Sequence, residues 1–315
     1  MASRFICVVV YLSDDDADRS YRQIQRGLIT VSNPVRPNLV PTPRNGSSAA
    51  SNDAPPRHIG IIMDGNGRWA VRHGLLRRQG HRRGFSRLPA VIDTAADLGV
   101  SWLSFYCWST ENWNRPVAEQ CCVLGLIRQF VHTQLPYWQD RGLRFAWSGR
   151  RDRVGHQVHD QLVSAERVTA NNSGMTVCLC VDYGGHVELA HAVCELARHA
   201  AAGRLNPARI DEKHIRTFLY QPDMPDVDLL IRTSGEQRVS NFLTWQSAYA
   251  EMSFPSTLWP DFSPSHLHQA IREYVDRDRR YGGLSAAVIP QGTTKDVVVG
   301  TRTSGSRDDE TSVTA

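Results

Sequence analysis

The chain has 315 residues, of which 41% are hydrophobic and 8% aromatic. This content supports a sizeable core and excludes a wholly disordered chain, and no stretch approaches the ~20 apolar residues of a membrane-spanning helix. The 36 basic and 32 acidic residues leave a formal charge of +4, which is too balanced to indicate a polyanionic partner.

Residues 1–57 differ in composition from the rest of the chain. A short apolar run, Ile6 to Leu12, precedes an acidic cluster and a segment rich in Pro, Asn and Ser, which predicts a flexible leader. No small-residue cleavage pattern comes after the apolar run, so we expect no export signal. The seven cysteines form neither a C-x-x-C pair nor a zinc-finger spacing, which favours a reducing, cytoplasmic location.

The acidic cluster Asp14 to Asp18 matches the D-D-x-x-D pattern that binds magnesium diphosphate in the all-helical trans-prenyl synthases. No second copy of the pattern and no long apolar helix accompany it. We therefore interpret it as a solvated acidic run in the leader.

From His58 to Gly283 short apolar runs alternate with longer amphipathic stretches, which predicts one α/β domain with a single open, mostly parallel sheet flanked by helices. The predicted strands are Ile59–Met63, Trp102–Cys107, Leu143–Trp147, Thr176–Val181 and Val227–Ile231. The predicted helices include Glu119–Trp138, Arg153–Asn171 and Val187–Ala202. Residues 284–315, rich in Gly, Ser and Thr, predict a disordered tail.

The first candidate site comes after the first strand, in the run Ile-Met-Asp64-Gly65-Asn66-Gly67-Arg68-Trp69-Ala70. A carboxylate and two glycines between a strand and a helix suit a ligand that carries phosphate. The same run fits the G-x-G-x-x-A dinucleotide fingerprint, so an NADP-dependent dehydrogenase is an alternative. That fingerprint expects an acidic residue ~20 positions on, but no Asp or Glu occurs from Gly65 to Ile92.

Two further candidate sites come after later strands. The run from Trp102 to Pro116 passes from a strand into a polar turn flanked by tryptophans, which suits either a ligand site or an ordinary strand-to-helix loop. The run from Ile231 to Phe242 places arginine and hydroxyl donors on a glycine-containing loop, which is the chemistry of anion capture. Glu251 is either a functional carboxylate or a structural ion-pair partner of one of these arginines.

Together these segments resemble one family, the cis-prenyltransferases, also called isoprenyl transferases or undecaprenyl diphosphate synthases. The segments that carry the resemblance are HIGIIMDGNGRWA, GHRRG, STENWNRP, DYGGH, DLLIRTSGEQRVSNFLTWQSAYAE, WPDF and RRYGG, and they span His58 to Gly283 in the family's order. The resemblance implies condensation of isopentenyl diphosphate with an allylic diphosphate on an open α/β sheet. It also implies Mg²⁺ as the cofactor, a homodimer, and peripheral membrane contact through a lipid product.

By this resemblance, Asp64 is the magnesium ligand and central catalytic carboxylate, Asn112 is a catalytic proton acceptor, and Glu251 is a second metal-associated carboxylate. The allylic substrate is expected beside Gly65, Asn66, Gly67, Arg68, Trp69, Arg77 and His81. Isopentenyl diphosphate is expected at Arg232, Arg238, Val239 and Ser240. The residues expected around the substrates are Ser109, Thr110, Glu111, Trp113 and Arg115.

The resemblance favours a synthase of the undecaprenyl type, but product length stays open. Cys107 and Trp108 stand where many family members have the smaller residues Ala and Phe. An alternative is therefore that they narrow the floor of the tunnel that holds the growing chain, which would give a short, specialised product. Asp182 and His186 replace the family's usual Asn and Arg, and Gln237 replaces a frequent His. Two other classes are a non-catalytic partner subunit, which the intact catalytic pattern disfavours, and a nucleic-acid binder, which the interspersed acidic residues disfavour.

Overall fold

A computed structural model describes residues 54–277. These residues contain one six-stranded, all-parallel sheet with the strand order β3-β4-β2-β1-β5-β6. The strands are β1 (His58–Ile62), β2 (Trp102–Ser109), β3 (Arg144–Ser148), β4 (Thr176–Tyr183), β5 (Leu229–Arg232) and β6 (Glu251–Ser253). The open parallel sheet is confirmed. Most of the predicted leader, its acidic cluster and the whole predicted tail lie outside the described residues.

Helices connect the strands, as parallel pairing requires. They are α1 (Asn66–Arg72), α2 (Arg77–Phe85), α3 (Leu88–Asp97), α4 (Val117–Asp140), α5 (His156–Val168), α6 (Gly185–Ala201), α7 (Glu212–Thr217) and α8 (Pro264–Val275). The three helices predicted from the sequence correspond to α4, α5 and α6, with ends shifted by a few residues. Within residues 54–277, no helix combines the length and apolarity needed to cross a membrane.

The strands are hydrophobic on both faces because helices and loops cover both. One core cluster includes Ile59, Ile61 and Phe105, and the other includes Cys180 and Leu230. Five of the six strands were predicted from the sequence. The exception is β6, whose three residues are too few to show a periodic pattern.

A buried histidine ties β1 to its neighbours. His58 lies opposite Trp102 in the β1–β2 register and is fully buried. Its Nδ1 lies 2.7 Å from the carbonyl of Pro225, and its Nε2 lies 2.8 Å from the hydroxyl of Ser104. Burial lowers the pKa of His58 to about 4, so the ring is neutral at pH 7 and acts as a hydrogen-bonding element of the core.

Helices α1 and α2 pack with almost no space between their backbones. An added Cβ at Gly80 would lie 2.0 Å from the carbonyl oxygen of Asn66, and one at Gly84 would lie 2.2 Å from Asn66 Oδ1. Glycine at these two positions of the GHRRG segment therefore lets α2 sit directly against the loop that carries Asp64.

We expect Gly80→Ala to lower the free energy of unfolding by about 2 kcal/mol, because α2 must move away from α1. Gly125→Ala is the matched control, since it lies within α4 and its added Cβ would meet nothing within 4 Å. The control should raise stability by about 0.5–1 kcal/mol through better helix propensity. Urea denaturation of both variants measures the difference, and equal shifts would contradict the close packing.

Candidate active site

The carboxyl ends of four adjacent strands, β4, β2, β1 and β5, meet at one edge of the sheet, where open α/β folds bind ligands. The loops that come after these strands, together with α2 and α4, enclose a cavity of about 600 Å³. The predicted site residues that line it are Asp64, Gly65, Asn66, Gly67, Arg77, His81, Ser109, Glu111, Asn112, Arg115, Arg232 and Ser240. The structure thus brings together residues from all three candidate segments.

An ion pair between Asp64 and Arg232 lies at the centre of this arrangement. Arg232 is buried, and its Nη2 donates to Asp64 Oδ2 at 2.8 Å. Its Nη1 donates to the carbonyl of Arg238 at 2.7 Å and to the hydroxyl of Ser240 at 2.6 Å. Burial acts to raise the pKa of Asp64, but the hydrogen bond and charge of Arg232 outweigh it, so this pKa lies below its ordinary value. Asp64 is therefore a carboxylate at neutral pH.

Arg68 and Arg238 lie beside this pair, outside the cavity wall. Arg68 donates to Asp64 Oδ1 at 3.4 Å and to the Ser234 hydroxyl at 2.6 Å, and it pairs with Glu236 at 3.2 Å. Arg238 pairs with the other carboxylate oxygen of Glu236 at 2.5 Å. Two exposed guanidinium groups thus share one carboxylate next to Asp64, so an anionic ligand that displaced Glu236 would meet both.

A second cationic cluster lies on the α2 side of the cavity. Glu119 of α4 binds Arg77 at 3.3 Å, His81 at 3.1 Å and Arg115 at 3.1 Å through the same oxygen. Burial lowers the pKa of His81 and leaves the ring neutral at pH 7, although Glu119 opposes the shift. The guanidinium of Arg77 lies over Gly67, where an added Cβ would come within 2.7 Å of it. One carboxylate therefore holds two guanidinium groups at the cavity rim.

The loop after β2 is held from several directions. The Asn112 side chain accepts the backbone N–H of Ser109 at 3.2 Å, and Gln120 donates to the carbonyls of Trp113 and Arg115. Glu111 accepts from the side chain of Asn241 at 2.8 Å, which connects this loop to the one after β5. Contacts within the protein therefore hold Asn112 and Glu111 in position.

Asp182 at the end of β4 supports the same loop from beneath. Its side chain is fully buried, accepts the indole N–H of Trp113 at 2.8 Å, and receives two hydrogen bonds from Arg153 at 2.5 and 2.8 Å. The Arg153 guanidinium also lies 5.5 Å from the centre of the Trp113 ring. Trp113 thus supports the loop from below and does not line the cavity.

One part of the cavity wall is apolar. Phe85 of α2, Val123 of α4, and Met63 and Cys107 line it. Trp108, by contrast, is wholly buried in the core and is not among the lining residues. Of the two residues that were expected to narrow the floor of the product tunnel, only Cys107 therefore reaches the cavity.

The remaining predicted residues surround the cavity without lining it. Trp69 donates to Asp261 at 2.8 Å and stacks on His73, and Thr110 packs against Gly184. Glu251 lies on β6, and its side chain accepts from Arg277 at 2.9 Å. Predicted residues outside the lining are Arg68, Trp69, Thr110, Trp113, Arg238, Val239 and Glu251.

Some site residues were missed by the sequence analysis. Tyr106, Asn241 and His186 line the cavity, and Glu119 holds its rim. The alternation of β2 places Tyr106 and Cys107 on opposite faces, so strand periodicity could not assign both to a cavity at the end of the strand. Asn241 does stand inside the quoted segment, where a polar residue directly after Ser240 was an available signal. Glu119 had none, since it reads as an ordinary first-turn helix residue.

Comparison with known proteins places these residues in a family. The family model described as "Putative undecaprenyl diphosphate synthase" matches residues 62–282. The chain is 50% identical over 228 residues to a protein of Thermobifida fusca named trans,polycis-polyprenyl diphosphate synthase ((2Z,6E)-farnesyl diphosphate specific), covering 72% of this chain and 81% of that protein. It is 48% identical to decaprenyl diphosphate synthase of Mycobacterium leprae, covering 72% of this chain and 77% of the relative.

A solved structure shows the same architecture. The chain is similar to lavandulyl diphosphate synthase from Lavandula x intermedia in complex with dimethylallyl diphosphate, with a TM-score of 0.71 and 32% sequence identity. The match covers 73% of this chain and 99% of that one. The fold of this chain thus also occurs in that synthase.

We expect Asp182→Ala to lower the free energy of unfolding by about 2 kcal/mol, because it removes the buried partner of Arg153 and Trp113. Asp152→Ala is the matched control, since it breaks an ion pair with Arg150 that is exposed, and it should cost less than about 0.5 kcal/mol. Urea denaturation, followed by tryptophan fluorescence, measures both. A loss of unfolding free energy in Asp182→Ala no larger than that of the control would contradict this supporting role of Asp182.

Proposed function

The chain belongs to the undecaprenyl diphosphate synthase family of prenyltransferases, and we propose that it condenses isopentenyl diphosphate with an allylic diphosphate to build a cis-polyprenyl diphosphate. In this reaction the allylic C–O bond breaks and diphosphate leaves. The terminal alkene carbon of isopentenyl diphosphate, C4, bonds to the allylic carbon, which leaves a positive charge on C3. A proton then leaves C2 as the new C2–C3 double bond forms.

The observation that carries the proposal is the composition of the cavity. Its polar lining combines the Asp64 carboxylate with the guanidinium groups of Arg77, Arg115 and Arg232, and its apolar lining includes Phe85, Met63 and Val123. A prenyl diphosphate has the same two parts, an anionic head and a hydrocarbon chain. Bringing two diphosphates together requires several positive charges to offset their repulsion.

The arginines supply these charges from two sides. We assign the allylic diphosphate to the side of Gly67, Arg77 and His81, next to the apolar end of the cavity. We assign isopentenyl diphosphate to the side of Arg232 and Ser240, which are hydrogen-bonded to each other. Asp64 pairs with Arg232 and stands three positions before Gly67 in the chain, so it borders both assignments. Donors placed before the reaction stabilise the charge that develops on the leaving diphosphate.

The residues present fit a magnesium ion bound with substrate. Among the described residues no group of three or more His, Cys, Asp or Glu could hold a metal by itself. Mg²⁺ keeps several waters and commonly takes one or two carboxylates plus substrate phosphate oxygens, so Asp64 with a diphosphate is a suitable ligand set. When bound, Mg²⁺ would neutralise charge on the leaving diphosphate. Glu251, held by Arg277, would have to change partners to join it.

Asn112 is assigned to the end of the cavity where the proton leaves. Its side-chain oxygen already accepts the Ser109 N–H, and an amide is a weak base. We therefore propose that Asn112 orients isopentenyl diphosphate within the loop that Gln120 and Asp182 hold. Its assignment as the proton acceptor stays a prediction.

The names of the relatives favour a long product. Two of the bacterial relatives at 48–50% identity are named as decaprenyl and polyprenyl diphosphate synthases, and the name of the polyprenyl synthase includes the words (2Z,6E)-farnesyl diphosphate specific. We propose farnesyl diphosphate as the primer and a product of about decaprenyl length, in place of an undecaprenyl product. Each isoprene unit gains roughly 4 kcal/mol in an apolar tunnel, so a steric floor must end growth.

We also propose a homodimer in the cytoplasm. Within residues 54–277, Cys107, Cys122 and Cys194 form no disulfide bond, which supports a reducing compartment. The three-residue strand β6 forms one edge of the described sheet and could support an interface. Sedimentation velocity of the purified chain tests the dimer.

The first test is incubation of the purified protein with Mg²⁺, labelled isopentenyl diphosphate and, separately, dimethylallyl, geranyl and farnesyl diphosphates. The products are resolved by chain length. We expect a ladder that ends near decaprenyl length with farnesyl diphosphate. One short product would support the specialised alternative, and no incorporation by folded protein with any primer would contradict the proposed function.

We expect Asp64→Asn to reduce turnover by about a thousandfold or more, because it removes the negative charge that binds Mg²⁺ and pairs with Arg232. Asp160→Asn is the matched control, since this carboxylate is exposed and lies on α5 away from the cavity. Its turnover should equal that of the natural chain. Steady-state rates of isopentenyl incorporation measure both, and substantial turnover by folded Asp64→Asn would contradict the assignment.

We expect Cys107→Leu to shorten the main product by at least one isoprene unit, because the larger side chain enters the apolar end of the cavity. Trp108→Phe is the matched control, since Trp108 is buried outside the cavity. The control should lower stability without changing product length. Chromatography of the dephosphorylated products measures the length, and an unchanged length in Cys107→Leu would contradict this position for the floor.

A further inference from the structure

The turn between α1 and α2 carries an unusual concentration of exposed apolar side chains. Every residue from Val71 to Gln79 is exposed, including Val71 at 70%, Leu75 at 37% and Leu76 at 55%. Single exposed aliphatic residues are common on protein surfaces, but three within six positions form a patch. The patch belongs to the same hairpin whose inner side lines the cavity.

A fourth exposed apolar residue stands at the start of α4, near residues of the cavity rim. Val117 is 67% exposed and lies two positions before Glu119, which binds Arg77 of the hairpin. Arg77 and Arg115 line the cavity. Leu76 directly precedes Arg77, and Val117 comes two positions after Arg115. The patch therefore borders the cavity rim.

The same hairpin is strongly basic. The segment from Gly65 to Ile92 contains seven arginines and no Asp or Glu. Three of the seven are engaged: Arg68 with Glu236, Arg77 with Glu119, and Arg87 with the carbonyl of Pro260. The other four are exposed and form no ion pair with an acidic side chain of residues 54–277; they are Arg72, Arg78, Arg82 and Arg83.

We propose that these two sets of side chains form one docking surface for a bilayer that contains anionic phospholipid. We call it the hairpin surface, and it comprises Val71, Leu75, Leu76 and Val117 with Arg72, Arg78, Arg82 and Arg83. Guanidinium groups bind lipid phosphates, and aliphatic side chains at the same tip enter the boundary between headgroups and acyl chains. The combination of both chemistries on one short hairpin carries the proposal.

Other occupants match only one of the two chemistries. A nucleic acid would bind the arginines but would gain nothing from exposed leucines. A second copy of this chain in a two-fold interface would bring the same arginines against each other, at a cost in repulsion. A lipid surface also suits the proposed function, on which this step rests, because a polyprenyl product released at the rim would enter the bilayer without crossing water.

The test measures co-sedimentation of the full-length protein with vesicles of phosphatidylcholine alone and with vesicles that also contain phosphatidylglycerol. Each basic residue near an anionic bilayer strengthens binding about fivefold. We therefore expect Arg78→Gln/Arg82→Gln to weaken binding to the anionic vesicles by about tenfold or more. Leu75→Ser/Leu76→Ser should weaken it by about tenfold through lost insertion.

The matched control is Val193→Ser/Arg209→Gln, which removes an exposed valine and an exposed arginine away from the hairpin. It should bind the anionic vesicles as the natural chain does. Isopentenyl incorporation without vesicles should be equal in all of these variants. Vesicle binding is measured without substrate, so a failure of the proposed function leaves this result readable.

Three results would overturn the proposal. The first is equal sedimentation with and without anionic vesicles. The second is unchanged binding in both hairpin variants. The third is a change of oligomeric state in a hairpin variant, measured by sedimentation velocity, because the surface would then bind a second copy of the chain. Absent vesicle binding together with retention on duplex DNA that a hairpin variant loses would likewise assign the surface to a nucleic acid.

Discussion

The ion pair between Asp64 and Arg232 organises the site more than any other contact. The two residues are 168 positions apart, but β1 pairs with β5 and places Ile62 opposite Arg232. The loop after one strand thus meets the end of its neighbour. Arg232 then holds the carbonyl of Arg238 and the hydroxyl of Ser240, so one buried guanidinium orders both the Asp64 carboxylate and the loop that comes after β5.

This order comes with local backbone strain. The described residues other than glycine that have positive φ are Asp182, Ser234, Ser240, Asn241 and Leu243. All of them lie in the loops after β4 and β5 or at the end of β4. Such conformations cost about 1–3 kcal/mol each and persist where the surroundings hold them. Three of the five form side-chain hydrogen bonds that hold them: Asp182 binds Arg153, Ser240 binds Arg232, and Asn241 binds Glu111.

The two sides of the α1–α2 hairpin differ, and the two proposals rest on different sides. Its inner side includes Gly67, His81 and Phe85, and the absence of side chains at Gly80 and Gly84 lets it approach Asn66 closely. Its outer side has no such packing requirement, which leaves room for arginines and exposed leucines. A hairpin pinned on one side can present a rigid surface on the other, which connects the proposed reaction to the proposed bilayer surface.

Most of the architecture and the identity of the site segments could be read from the amino-acid sequence alone. Apolar runs identified five of the six strands, because strands buried on both faces are continuously hydrophobic. The glycine and arginine segments also identified the loops that form the cavity, including Asp64 and Arg232.

Which side chains meet, however, depended on the folded chain. Folding placed Glu119 at the centre of the Arg77, His81 and Arg115 cluster, although Glu119 carries no signal in the sequence. Folding also buried Trp108 in the core, placed Cys107 at the cavity wall, and paired Glu251 with Arg277. Periodicity reports the burial of a residue along its own element, whereas contacts between elements depend on strand order, register and helix packing, which a single sequence does not specify.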